Sequence, residues 1–200
     1  MEKFHKSVRF FDLDLLMKER FAFIDDSVLR ENIAINMQYI IFLSSLSEKY
    51  VLPGATIYSV YKTIIIFTAS IIEAMLSYKL NLMIEQGLVS REKLFGFEES
   101  YSLEPKFIPI SDTEMICGIK KTKKLKIKKR GHIDFFELNR MAKKANLLDG
   151  DLFKHSEEIR EARNRIHSYS LVEVDDRYEK ADIDELFSKA RLIIEAIESF

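Results

Sequence analysis

The sequence predicts a mainly α-helical protein, a bundle of about five helices that carries a small inserted β-hairpin. Hydrophobic residues make up 47% of the chain and charged residues 32%, a combination typical of helical globular proteins with charged outer faces. Only 6 Gly and 3 Pro are present, too few for a turn-rich β architecture. Because 200 residues suit one well-buried core, we expect a single helical domain over residues 1–200.

Two long helices are predicted in the first half of the chain. Ser27 is placed to cap an amphipathic segment that extends to about Lys49. The next segment, residues 56–86, is apolar almost all round between residues 64 and 72, as expected of a helix at the centre of a bundle. Its β-branched run would also suit a strand, but the length of the pattern favours a helix. Gly87 is placed to end it.

The following segment, residues 87–131, loses helical periodicity and collects glycine and proline. Short alternations of lysine and apolar residues within residues 114–129 fit a β-hairpin with one solvated face. We therefore expect a peripheral insertion at residues 97–131 that carries a basic hairpin.

Three helices are predicted to follow the insertion. The first covers residues 133–145, and Asp149 is placed to cap a second helix that runs through Tyr169. Asp182 and Glu185 resemble a capping box for the last helix. The apolar stripe of this last helix comprises Ile183, Leu186, Phe187, Ala190, Ile193, Ile194 and Ile197.

Several features predict a soluble, cytoplasmic protein that makes no contact with a membrane. The longest apolar stretch, residues 63–72, stops at Glu73 and is far shorter than the ~20 residues of a spanning helix. The first 20 residues are rich in charge and do not resemble a leader. The lone Cys117 cannot form an intramolecular disulfide and favours a reducing compartment. The histidines have no metal-ligand spacing, so we expect no metal and no cofactor.

Side chains suited to a phosphodiester share one face of the helix predicted before Tyr169. At ~100° per residue, Arg160, Arg163, Asn164 and His167 fall within one sector of roughly 100°. Arginine can hold phosphate oxygens, and histidine can exchange a proton near neutral pH. The alternative is a solvated face whose arginines are neutralised by neighbouring glutamates.

The run Arg163-Asn164, followed by His167 and Tyr169, resembles the motif of HEPN domains, helical proteins of bacterial toxin and antiviral systems. The resemblance extends to the order of helices, with a central helix around residues 69–74. It implies metal-independent cleavage of RNA in a toxin or phage-defence module. His167 would then act in acid/base catalysis, and an arginine would stabilise the phosphate. Asn164 would orient the histidine or the phosphate. A homodimer would place two motifs across one cleft.

The resemblance leaves the working arginine open. Arg163 keeps the asparagine neighbour but stands closer to His167 than is usual, whereas Arg160 has the usual distance and is followed by Glu161. We favour Arg163. Tyr169 matches a position that a cognate nucleotidyltransferase modifies in some toxin members, although a half-buried aromatic residue at a helix end is the more economical interpretation. The alternative function is a non-catalytic helical module that binds RNA or a partner protein.

Two further features accompany the motif. Glu73 lies in the most apolar helix and needs a partner if it is buried. An arginine of the motif helix would suit, which would make Glu73 an orienting residue; alternatively, Glu73 faces a rim. A basic strip could bind RNA phosphates. Alternatively, its lysines form a solvated hairpin edge and discourage pairing with another strand. The strip comprises Lys120, Lys121, Lys123, Lys124, Lys126, Lys128, Lys129 and Arg130.

Overall fold

The computed structural model of the chain describes residues 12–125, 133–166 and 178–200. These ranges contain seven α-helices and one two-stranded antiparallel sheet. The elements are α1 (Leu13–Leu15, continued by a π-helical turn over Leu16–Arg20), α2 (Ser27–Lys49), α3 (Gly54–Glu85), α4 (Arg91–Phe95), β1 (Phe97–Pro109), β2 (Met115–Leu125), α5 (Phe135–Lys144), α6 (Gly150–Arg165) and α7 (Lys180–Ser199). The predicted class, mainly α-helical with a β-hairpin, is confirmed.

The predicted number of about five helices is wrong, because α1 and α4 were not foreseen. These two helices contain 3 and 5 residues, so neither completes the two turns over which an apolar period can be recognised. The other five correspond to the five predicted segments.

The chain divides into two compact units. One unit, the helical unit, comprises Met1–Asn81 with Phe135–Phe200, and the other comprises Leu82–Asp134. The second unit holds the last turn of α3, then α4 and the hairpin. The insertion predicted at residues 97–131 lies inside this second unit.

Helix α3 supplies the centre of the core in the helical unit. Ile64, Ile72, Met75 and Leu76 are fully buried there, as the all-round apolar pattern predicts. Helix α3 is long and apolar enough to cross a membrane by length and composition alone, but 44% of its most apolar window is buried against protein, which is compatible with a soluble protein. On α7 the predicted stripe is buried except for Phe187, which is half-buried.

Helix caps fix where the long helices begin. Asp149 accepts a hydrogen bond from the backbone of α6 and is the predicted cap. For α2 the capping side chain is Asp26 and not Ser27, which is already the first helical residue. For α7 the capping box pairs Glu179 with Asp182, so the box predicted three residues further on is wrong. In both corrected cases the helix begins earlier, because an acidic residue precedes the predicted cap.

The hairpin begins earlier than predicted. Strand β1 starts at Phe97, whereas the alternation had suggested both strands within residues 114–129. Its register with β2 shifts between Tyr101 and Pro105, where a proline cannot donate to the ladder. Nearly every described side chain of the hairpin is exposed, so the predicted packed face is absent from its described residues.

Candidate functional site

Helix α6 carries the predicted motif and is anchored on one side by Ile159, which is fully buried. It packs against α5 and α7. The helix was predicted to run through Tyr169, but α6 ends at Arg165 and Ile166 is its C-terminal cap. His167 and Tyr169 lie outside the described residues.

Arg163 joins α6 to the central helix. Its Nη1 donates a hydrogen bond to Oε2 of Glu73 at 2.8 Å, and both side chains are about two-thirds buried, with 31% and 28% exposed. This is the pairing expected for a carboxylate in an apolar helix. A guanidinium has five N–H donors, and the ion pair uses one of them. The contact therefore fixes the arginine and leaves it able to bind a further anion.

Arg160 contacts glutamates of its own helix and an aromatic ring of α5. Its Nε and Nη2 donate to Oε2 of Glu157 at 3.0 and 2.8 Å, and Oε1 of Glu161 lies 3.7 Å from Nη2. Its guanidinium carbon lies 5.3 Å from the centre of the Phe136 ring on α5, and that of Arg140 lies 5.7 Å from the same ring. Arg160 is thus held between a carboxylate and an aromatic face, a favourable environment for a cation.

A buried polar network stands behind Arg160. The Asn139 amide donates to Oε1 of Glu157, and the Ser156 hydroxyl donates to Oδ1 of Asn139 at 2.7 Å. Asn139 and Ser156 are completely buried. The network fixes the orientation of Glu157 and through it of Arg160. Sequence reasoning missed Asn139 and Ser156, although an asparagine within the apolar residues of α5 was a usable signal.

Of the motif residues that the structure describes, Arg160 and Arg163 therefore contact different helices. Arg163 contacts Glu73 of α3, whereas Arg160 contacts Phe136 of α5. Asn164 is exposed and makes interactions of its own. Arg165 lines a cavity of about 420 Å³ between α6 and α7. Neighbouring glutamates do neutralise part of this arginine cluster, as the alternative interpretation held.

A second ion pair joins α6 to α7. Nζ of Lys189 lies 2.8 Å from Oε2 of Glu158 and also contacts Glu185. The hydrogen bond from Lys189 is the main cause that holds the pKa of Glu158 below its ordinary value, against the opposing effect of burial.

The basic strip is only partly described. Lys120, Lys121, Lys123 and Lys124 lie in β2, and the remaining predicted members, Lys126, Lys128, Lys129 and Arg130, lie outside the described residues. Strand β1 sets acidic residues against β2, since Glu98 is in register with Lys124 and Glu99 with Lys123.

One carboxylate of β1 contacts two lysines of the strip. Oε2 of Glu99 lies 2.7 Å from Nζ of Lys121, and its Oε1 lies 3.5 Å from Nζ of Lys123. The hydrogen bond from Lys121 is the leading cause that lowers the pKa of Glu99. Part of the positive charge predicted for this edge is thereby compensated within the hairpin.

No family model, curated protein or solved structure matches the chain. Among the described residues, no group of three or more His, Cys, Asp or Glu side chains converges as a metal site would. The most organised polar arrangement on α6 is the pair of arginines that Glu73 and Glu157 hold.

Proposed function

We propose that this protein is a metal-independent endoribonuclease of the HEPN type, acting as a homodimer in the cytoplasm as part of a bacterial toxin or phage-defence module. The observation that carries the proposal is the ion pair between Arg163 and Glu73. It holds a guanidinium in a fixed position at the end of α6, four residues before His167 in sequence. That combination of residue types suits cleavage by the ribose 2′-hydroxyl.

Each motif residue has a distinct role in the proposed reaction. His167 takes the proton of the 2′-hydroxyl or gives one to the leaving 5′-oxygen. Arg163 binds the non-bridging phosphate oxygens and stabilises the charge that builds up on them. Asn164 orients the phosphate or the histidine. One histidine cannot serve as acid and base together, so the second comes from the other protomer.

The contacts of the two arginines favour Arg163 over Arg160 as the phosphate ligand. Glu157 occupies the Nε and Nη2 edge of Arg160, whose side chain is only 18% exposed. Arg163 is 31% exposed and gives one hydrogen bond to Glu73. Binding phosphate at Arg160 would require replacement of two hydrogen bonds, whereas Arg163 has donors to spare.

The test is incubation of labelled total RNA with purified protein in EDTA, with analysis of the new ends. We expect wild type to cut and leave cyclic phosphate ends, and His167→Ala to be inactive. Arg163→Ala should lose about 10²-fold or more in rate, and Arg160→Ala less. Lys154→Ala, which removes an exposed cation from the same helix, is the matched control and should cut normally. Wild type and His167→Ala behaving alike would refute the proposal.

A non-catalytic module that binds RNA or a partner protein is the second candidate. The carboxylates that already pair with Arg160 and Arg163 favour a motif that does not catalyse. This candidate predicts RNA binding without cleavage, with an affinity that falls steeply with salt. Neutralising the basic strip would then weaken binding more than His167→Ala does.

A third candidate, weaker than the first two, is a partnership with a cognate nucleotidyltransferase that modifies Tyr169. Incubation of the two proteins with a nucleoside triphosphate, followed by mass spectrometry, tests this. Wild type should gain a nucleotide and Tyr169→Phe should not.

A further inference from the structure

Three cations and two aromatic rings lie together on the surface where α5 packs against α6. The guanidinium carbons of Arg140 and Arg160 lie 5.7 and 5.3 Å from the centre of the Phe136 ring. Nζ of Lys143 lies 4.4 Å from the centre of the Phe153 ring. Each cation is attracted by the electron-rich face of its ring. These five side chains form what we call the α5–α6 surface.

The α5–α6 surface extends along both helices. Phe136, Arg140 and Lys143 are spaced by four and three residues, so they share one face of α5. Residues 145–149 join the two helices, and Lys143 near the end of α5 contacts Phe153 near the start of α6, so the helices run antiparallel. On α6 the same face continues from Phe153 to the exposed Asn164, roughly 16 Å further along.

Two of the three cations carry charge that no carboxylate balances. Arg160 is paired with Glu157, whose side chain is only 16% exposed, and lies 3.7 Å from Glu161. Arg140 and Lys143 are exposed, and they form no ion pair within the ranges that the structure describes. The surface therefore has a surplus of positive charge beside the motif helix, on side chains that remain able to bind phosphate.

The ring of Phe136 is accessible between these cations. Phe136 is 44% exposed even with both arginines beside it, whereas Phe135 and Leu138 of the same helix are buried. An exposed aromatic ring next to cations suits a single-stranded nucleic acid, because an unpaired base can stack on the ring while the cations neutralise its phosphates. A duplex does not offer its bases in this way, and an acidic peptide would use the cations but not the ring.

We infer that the α5–α6 surface binds single-stranded RNA, with one base against the exposed ring of Phe136 and adjacent phosphates at Arg140 and Lys143. Arg160 stays paired with Glu157. The bound strand then leads along α6 to Asn164, where the proposed reaction takes place. The inference names the binding surface of the proposed ribonuclease and rests on that proposed function for the choice of RNA.

The experiment measures fluorescence anisotropy of a labelled single-stranded 2′-O-methyl oligonucleotide with the full-length protein. This probe lacks the 2′-hydroxyl that cleavage requires, so wild type binds it without cutting. Phe136→Leu keeps an apolar side chain and removes the ring, so it should weaken binding at least about fivefold. The same variant should bind an abasic version of the probe as wild type does. Tyr39→Leu, which removes a ring of α2 that is 40% exposed, is the matched control and should not weaken binding.

The role of the cations is tested by salt titration. Arg140→Gln should weaken binding about threefold to tenfold at low salt and reduce the slope of log Kd against log salt concentration by about 0.7. Lys154→Gln removes a cation of α6 that is 73% exposed and lies outside the surface, so both quantities should stay close to those of wild type. Equal effects of the two substitutions would show binding by overall charge and would overturn the inference.

Further outcomes separate this inference from the proposed ribonuclease. If wild type cleaves RNA but Phe136→Leu binds the probe as tightly as wild type, the inference fails and the ribonuclease stands. If binding depends on Phe136 and Arg140 but wild type does not cleave RNA, the ribonuclease fails and the inference stands. No binding of the probe by wild type, together with binding of poly-glutamate that depends on Arg140 alone, would assign the surface to an acidic protein and overturn the inference.

Discussion

Glu73, in the most apolar helix of the protein, accepts a hydrogen bond at 2.8 Å from Arg163, which lies 90 residues further along the chain. The pair connects the central helix to the end of α6. Both side chains are about two-thirds buried. Removing either one therefore leaves the charge of the other in a poorly solvated place.

We expect a double-mutant cycle of Glu73→Ala and Arg163→Ala to give a coupling free energy of about 0.5–1 kcal/mol. Urea unfolding of the four proteins measures it. The matched control is the pair formed by Lys180 and Glu48, whose side chains are 60% and 59% exposed, and whose coupling should be close to zero. Equal coupling in the two cycles would contradict a special role for the buried pair.

Replacing Asn139 should destabilise the helical unit strongly. Asn139→Ala leaves the Ser156 hydroxyl without its acceptor and Glu157 without one donor, in a place closed to water. We expect a loss of about 2 kcal/mol in the free energy of unfolding, measured in urea with an unchanged slope. Asn32→Ala changes an exposed side chain of α2 and should stay within about 0.5 kcal/mol of wild type. Comparable losses from the two substitutions would argue against the network.

Stability should depend on pH through Lys189 and Glu158. The lowered pKa of Glu158 means that its contribution is present above the ordinary glutamate pKa and is lost as pH falls through the lowered value. Burial acts to lower the pKa of Lys189, but its hydrogen bonds to Glu158 and Glu185 outweigh this and raise it. Its contribution is therefore complete below the ordinary lysine pKa and is lost as pH rises through the raised value.

It follows that Lys189→Met should lower the melting temperature most between about pH 5 and pH 10, and progressively less outside that window. The loss should be modest, about 2–4 °C, since Glu158 is 35% exposed. Thermal scans across pH measure it. Lys154→Met serves as the control, because Lys154 is 73% exposed and 3.9 Å from Glu158. A loss that did not vary with pH would point to packing of the lysine stem instead.

Gly87 should be required for the way α3 ends. Its φ is +72°, and its N–H donates to Ile84 while the N–H of Leu88 donates to Met83, the two hydrogen bonds of a Schellman cap. Gly87→Ala should cost about 1 kcal/mol and speed amide exchange at Leu88. Gly150→Ala, at the start of α6 with open space around its Cα, should be neutral or stabilising. Unchanged exchange in Gly87→Ala would refute the cap.

The parts of the fold that could be predicted are those that a repeating pattern specifies. Helix α3 follows from a long segment that is apolar almost all round between residues 64 and 72, and its end follows from Gly87. Strand β1 was missed because Glu98, Glu99 and two prolines interrupt its alternation. Its pairing with β2 depends on cross-strand neighbours that only the folded chain brings together.

Some contacts of the candidate site could be predicted from the sequence, and others could not. A carboxylate within an apolar helix requires a partner if it is buried. The contact of Glu73 with an arginine of α6 could therefore be predicted. The stacking of Arg160 on Phe136 was not, because helical spacing does not reveal which helix packs alongside. The network of Asn139 and Ser156 depends on the same packing of α5 against α6.

The exposed hairpin has a consequence for the order in which the molecule opens. Two strands without a packed face are marginally stable in water, since each amide depends on its cross-strand partner alone. The described part of β1 and β2 should therefore exchange its amide hydrogens by local opening, at a rate insensitive to substitutions in the core of the helical unit. Proteolytic cleavage in native buffer should then fall first within Phe97–Pro109 or Met115–Leu125, with α3 and α7 still intact.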